Sequence, residues 1–222
     1  MTSIRLPIKV WDGPVRLFHW GVVVLVSVSW ISVENGWMRI HLFSGYTMLS
    51  ALLFRLVWGF IGSETALFAS FLTSPVAGLR HLADLRRREP DTQIGHNAAG
   101  GWMVLLMLLL LALQVSTGLF ANTFDDLDIN GPLATHVSRH MSNRLSGVHE
   151  FNFYLILAAI VLHIAAILAY ALIKGQNLLR PMITGKKRLP GATRAPRMRS
   201  SLLGAAIFAC AAGLVATVVN LL

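Results

Sequence analysis

The sequence predicts an all-α integral membrane protein, a four-helix bundle with an additional C-terminal transmembrane helix, and three observations predict it. Of 222 residues, 55% are hydrophobic and 13% charged, with a mean hydropathy of +0.63, whereas an average soluble domain is about 25% charged. Five apolar stretches, 17–33, 41–62, 98–121, 151–173 and 201–222, are long enough to cross a hydrocarbon core of about 30 Å. Lys and Arg are segregated between alternate connections, as in a multi-pass chain.

The first stretch lies near the lower length limit. No A-x-A-like cleavage site follows it, and Trp20, Trp30 and Trp37 suit an anchored span, so it reads as retained rather than as a signal-peptide core. A short outer connection, 34–40, leads to the second span. In the next connection, 63–97, Leu79, Leu82 and Leu85 recur at helical spacing beside Arg80, Arg86, Arg87 and Arg88. This predicts an amphipathic helix around 77–88, either in contact with lipid at the interface or a solvated loop helix. After the third span comes a hydrophilic outer connection, 122–148, with Asp125, Asp126, Asp128, His136 and His140. The segment 174–199 that follows the fourth span is rich in Pro, Gly, Lys and Arg and reads as a basic linker. Ala, Leu and Val dominate the fifth span, which has no acidic or basic side chain. The chain thus divides into a working unit, 1–190, and a linker with the fifth helix, 191–222.

The N-terminal tail, the 63–97 connection and the 174–199 segment hold fifteen Lys and Arg, against three in the other two connections: Arg39, Arg139 and Arg144. That asymmetry places the N-terminus in the cytoplasm and the C-terminus outside. The net charge of +9 is therefore topological, with anionic membrane lipid as its partner. No module is left over to bind nucleic acid. Cys210 is the single cysteine, and no C-x-x-C-H motif is present, so an intrachain disulfide, an iron–sulfur cluster and a covalent c-type haem are all excluded.

The chemistry lies in histidines within apolar helices, where ionisable groups are costly and mark sites. His149 and His163 are fourteen residues apart, about 40° short of four full turns, so they share one helix face about 21 Å apart. His41 begins the second span from the outer side, and His19 lies near the cytoplasmic start of the first. Depth then pairs His41 with His149 and His19 with His163, one pair per leaflet. Two neutral imidazoles make a poor tetrahedral zinc or copper site, but axial ligation of haem iron needs only two and favours electron transfer over oxygen binding.

Gly45, one turn after His41 on the same face, would let a porphyrin approach the backbone, and helix packing explains it equally well. Arg55 lies fourteen residues after His41 at the depth of the inner pair, where a haem propionate would balance its charge; snorkelling to the interface is the alternative. Arg16 is placed to cap inner propionates from the interface. His96, opening the third span, could replace His19 as a ligand, bond a propionate, or move a proton for a quinone. His81, His136 and His140 fall in connections and read as solvated.

At these residues the chain resembles the prokaryotic cytochrome b561 family, within a group that includes the b-type cytochrome subunits of Ni,Fe-hydrogenases and thiosulfate reductase. The resemblance covers roughly residues 8 to 190. It rests on Val10-Trp11-Asp12-Gly13-Pro14-Val15-Arg16 leading to His19-Trp20, His41 with Gly45, Arg55-Leu56-Val57-Trp58-Gly59, Gly95-His96-Asn97, His149-Glu150 with His163, and Asn177-Leu178-Leu179-Arg180-Pro181-Met182. It implies a four-helix core with two b-type haems in a bacterial inner membrane, held by His19, His41, His149 and His163. The fifth span is not part of that four-helix pattern.

The sequence thus reads as a transmembrane dihaem cytochrome b that passes electrons between the quinone pool and a periplasmic partner: a cytochrome c, a redox-enzyme subunit or superoxide. It is either a stand-alone electron-transfer protein, as a monomer or homo-oligomer, or a subunit of a quinone-linked oxidoreductase. A different class, a transporter or proton channel with a histidine-lined path, would need the broken helices or paired repeats that this sequence does not clearly show.

Overall fold

The computed structural model describes residues 4–83, 92–122 and 130–221. In chain order the elements are β1 (Arg5–Lys9), α1 (Gly13–Glu34), α2 (Met38–Ile61), a 3-10 turn (Glu64–Ala66), α3 (Phe68–Phe71), α4 (Pro75–Ala83), α5 (Ala98–Gly118), a second 3-10 turn (Ala134–His136), α6 (Arg139–Leu172), α7 (Leu179–Thr184), β2 (Lys186–Pro190) and α8 (Ser201–Leu221). Helices α1, α2, α5, α6 and α8 are long and apolar enough to cross a membrane. Their outward side chains, such as Leu17, Phe43 and Leu202, are more than 70% exposed, which suits lipid rather than water. The chain is a multi-pass, all-α membrane protein.

Helix α1 starts a turn before the predicted span because Asp12 caps it: Val15 N donates to Asp12 Oδ1 at 2.6 Å. Helix α6 begins at Arg139, twelve residues before the predicted fourth span. Polar residues carry it beyond the hydrocarbon region: its 34 residues span about 50 Å at helical rise. His140 is therefore a helical residue and not part of a connection. The amphipathic segment is helical over Pro75–Ala83, with Leu79 67% exposed. Leu85, Arg86, Arg87 and Arg88 lie outside the described residues, as do Asp125, Asp126 and Asp128.

The segment that reads as a basic linker is structured over much of its length. Within it α7 ends on Gly185, whose φ of 77° is the left-handed conformation glycine adopts freely. The Gly185 carbonyl accepts from Val10 N at 2.8 Å and Trp11 N at 3.1 Å. Strand β2 then pairs antiparallel with β1, from Arg5 opposite Pro190 to Lys9 opposite Lys186.

Two compact units are resolved. The first comprises Met1–Leu17, Arg55–Leu106 and Ile160–Ala205. Its core contains Val10, Trp11, Trp58, Phe71, Tyr170 and Leu189, and Trp58 Nε1 donates to the buried Asp12 carboxylate at 3.0 Å. The second comprises Phe18–Phe54, Met107–Ala159 and Ala206–Leu222. Met48, Phe54, Leu111, Ile156, Ala211 and Val215 are buried there, with Phe54 edge-on to Phe208 of α8.

Candidate functional site

In the second unit, the first turn of α2 and the third turn of α6 bring His41 and His149 together. Their ring centroids are 6.0 Å apart and their planes are inclined at 80°. His41 Nδ1 lies 3.0 Å from the Ser29 carbonyl, and His149 Nδ1 lies 2.8 Å from the Gln114 carbonyl. A carbonyl only accepts, so each Nδ1 carries the proton and donates. That fixes both tautomers and leaves Nε2 as the basic atom of each ring, the arrangement in which ligating histidines are usually held.

The separation can be tested against a shared metal. Two metal–nitrogen bonds of about 2 Å, each with a ring centre about 1 Å behind the nitrogen, put the centroids about 6 Å apart. At the observed 6.0 Å, His41 and His149 would be close enough to hold one metal between them. Among the described residues no cluster of three or more His, Cys, Asp or Glu could hold a metal ion. The donor set therefore suits a group that brings its own equatorial ligands, as haem does.

Small residues shape this site. Beside Gly45 an added Cβ would meet nothing within 4 Å, so open space lies one turn from His41. A Cβ on Gly118 would stand 2.8 Å from His149 Cε1; the imidazole occupies room that only glycine leaves. Asn152, fully buried, donates to Leu110 O at 2.9 Å and to Gln114 Oε1 at 2.7 Å, fixing α6 against α5 one turn from His149. Ser29 Oγ and Ser44 Oγ are 2.6 Å apart and join α1 to α2. The sequence reading missed Ser29, Gln114, Gly118 and Asn152. Asn152, three residues after His149 in an apolar run, had a detectable signal; backbone acceptors and contact glycines have none.

Of the other expected residues, His163, Arg55, Arg16 and His96 lie in the first unit. His163 is half-buried on α6, and His19 belongs to the second unit, edge-on to Trp20 at 5.0 Å. His19 and His163 do not share a unit. Arg55 is 3% exposed, its guanidinium 4.8 Å from the Phe68 ring centre, and its Nη1 is buried without a hydrogen-bond partner. So it does not snorkel. Asp12 attracts it coulombically, but the Asp12 oxygens accept from Val15 N and Trp58 Nε1. An anionic group is what such a guanidinium lacks.

Arg16 is engaged elsewhere: Nε donates to Met182 O at 3.3 Å and Nη2 to Ile183 O, which anchors α7. His96 sits two residues before α5, its ring 4.6 Å from Trp11 and 5.0 Å from Phe71. It lines a cavity of about 220 Å³ with Thr65, Ser70 and Arg194. His81 is not a solvated side chain but lies 2.7 Å from the buried Tyr170 hydroxyl. His136 and His140 are exposed, as expected.

The sequence profile described as prokaryotic cytochrome b561 matches residues 10–185, a stretch that contains all eight histidines with Arg16 and Arg55, and that ends before α8. Comparison with curated proteins gave no match.

Proposed function

Because the chain belongs to the prokaryotic cytochrome b561 family, it is a membrane b-type cytochrome acting in electron transfer, and we propose that it holds two haems and passes electrons between the membrane quinone pool and a redox partner at the outer surface. The observation that carries this reading is the His41–His149 pair, 6.0 Å apart with both Nδ1 atoms tied to carbonyls. Haem held by two histidines has both axial positions filled and so exchanges electrons instead of binding oxygen.

The chain's own residues set how that exchange runs. Ser29 and Gln114 carbonyls orient the two rings and raise their basicity, which strengthens ligation of the oxidised iron. Gly45 and Gly118 leave the room that ring and macrocycle need. Arg55 supplies a buried charge for a propionate. His19 and His163 are the proposed second pair; sequence depth supports that pairing. His96, in its cavity, is the group proposed to hold or move a proton for a quinone. The outer partner is a cytochrome c, a redox-enzyme subunit or superoxide, and the protein acts alone or as a complex subunit.

A reduced-minus-oxidised spectrum with a pyridine haemochrome assay on the purified protein tests the reading. Two b-type haems per chain are expected, falling to one in His41→Ala and to one in His163→Ala, with different haems lost. Absence of b-type bands, as a histidine-lined transport path would give, overturns it. Loss of neither haem in His163→Ala refutes the second pair alone.

A further inference from the structure

Outside the histidine pairs, the first unit contains a cluster rich in hydrogen-bond donors that no function discussed above uses. Tyr170 of α6 is 6% exposed and Lys174, just past that helix, is 8% exposed. The Lys174 ammonium lies 5.8 Å from the Tyr170 ring centre. Among the described residues it has no carboxylate partner, although burying a cation normally demands one. Asn97 Nδ2 donates to the Tyr170 hydroxyl at 2.7 Å, and His81 Nε2 is 2.7 Å from the same oxygen. The Asn97 amide cannot be turned the other way, because its Oδ1 accepts Gly100 N at 2.7 Å as the cap of α5. Asn97 fixes the Tyr170 oxygen as an acceptor, and in the tautomer in which His81 Nε2 also donates, the Tyr170 O–H remains for a third group. In that tautomer Lys174 and Tyr170 present an ammonium and a hydroxyl proton, with no carboxylate beside them among the described residues.

We infer that Tyr170, Lys174, Asn97 and His81 form a carboxylate site that holds a propionate of the inner haem. This rests on the reading that His163 ligates that haem. Tyr170 follows His163 by seven residues on α6, about 20° short of two full turns and about 10 Å along the axis. It therefore lies on the ligand's own face, further towards the basic end of the bundle. Haem has two propionates, and this unit has two buried cations without an ion pair among the described residues, Arg55 and Lys174. Each would neutralise one anion in a low-dielectric setting where an unpaired charge is costly.

The test is a haem-resolved redox titration of the full-length holoprotein, with the pyridine haemochrome count as a second readout. Lys174→Gln keeps two haems but lowers the ferrous-to-ferric ratio of the inner haem at fixed potential. The expected factor is about fivefold, the order that loss of one unit charge near the inner haem gives at an effective dielectric of about 20. Lys174→Arg restores the ratio, and the outer haem is unmoved in both. An unchanged inner haem in Lys174→Gln overturns the assignment.

Should Lys174→Gln lose both haems through misfolding, Tyr170→Phe carries the test. A ratio lowered at least twofold supports the site, and an unmoved ratio overturns it. A lipid headgroup would share the anionic chemistry. Anionic phospholipid that co-purifies with the wild type and is lost from Lys174→Gln, with the potential unmoved, assigns the site to lipid and overturns the propionate. The His163→Ala control isolates the premise: if it retains both haems, the ligand reading fails whatever Lys174 does.

Discussion

At the scale of single residues, His41 and His149 act as a pair because of what surrounds them. Their Nδ1 protons are committed to Ser29 and Gln114 carbonyls, so the rings are fixed before any ligand arrives, which lowers the ordering cost of binding. Two glycines separate contact from space. Gly118→Ala places a methyl 2.8 Å from the His149 ring and should push the imidazole aside; the haemochrome count is expected to fall from two towards one, with loss at the outer haem. Gly45→Leu places its Cβ where no protein atom lies within 4 Å, so the chain should fold and the helical circular dichroism should be unchanged while outer-haem occupancy still falls. Unchanged haem content in Gly45→Leu would show that the space beside Gly45 is not used. The histidines were legible because a fourteen-residue spacing is a property of side chains in one helix. The carbonyls that set their tautomers were not, since every residue has one and only the fold selects which is used.

At the scale of elements, the spans were legible because bilayer thickness imposes a length on any helix that crosses it. The boundaries shifted where polar chemistry extended a helix, at Asp12 before α1 and over the Arg139–Glu150 stretch of α6. The β1–β2 pair was not legible: two five-residue strands about 180 positions apart in sequence, each with a proline and two or more basic residues, carry no alternation that distinguishes strand from linker. The approach to α8 is fixed by contacts that also have no sequence pattern. Arg197 N donates to Glu64 Oε2 at 2.9 Å, Arg199 N to Ser63 Oγ at 2.9 Å, and a Cβ on Gly204 would stand 2.6 Å from Pro14 Cγ.

Gly204→Leu overpacks that contact and is expected to cost about 1–3 kcal/mol, seen as a lower thermal midpoint. Glu64 adds a pH dependence. The Arg197 backbone N–H bond, with Arg194 and Arg197 charges, holds its carboxyl below the ordinary Glu value. A depressed folded value means that its stabilisation is present above the unfolded pKa, about 4.3, and is lost as pH falls through the folded value. Protease cleavage within 191–200 should therefore rise as pH drops through that range in the wild type, and should already be high and flat with pH in Glu64→Gln.

At the scale of the whole molecule, orientation would decide which of the two proposed haems faces which partner, and two independent arguments bear on it. The first is parity. Strand β1 precedes α1 and strand β2 follows α6, and the two are hydrogen-bonded, so the chain crosses the membrane an even number of times between them. Helices α1, α2, α5 and α6 supply four crossings. Lys187 Nζ donates to Gln93 O at 3.0 Å, and Glu64 binds Arg197, which puts the 63–97 connection on that same side. The second argument is charge. These three segments hold fifteen Lys and Arg against three in the other two connections, which under the positive-inside rule supports the proposal that they face the cytoplasm. Strand pairing tells which segments share a side, and charge supports the proposal that this side is the cytoplasm. In a Cys210→Ser background, a cysteine replacing Thr193 should react with a membrane-impermeant maleimide in inverted vesicles but not in intact cells with a permeabilised outer membrane, and one replacing Thr135 should do the reverse. The opposite labelling would leave parity intact but exchange the haems. The His41–His149 pair would then face the cytoplasm, and the outer-surface partner would be served by His19 and His163.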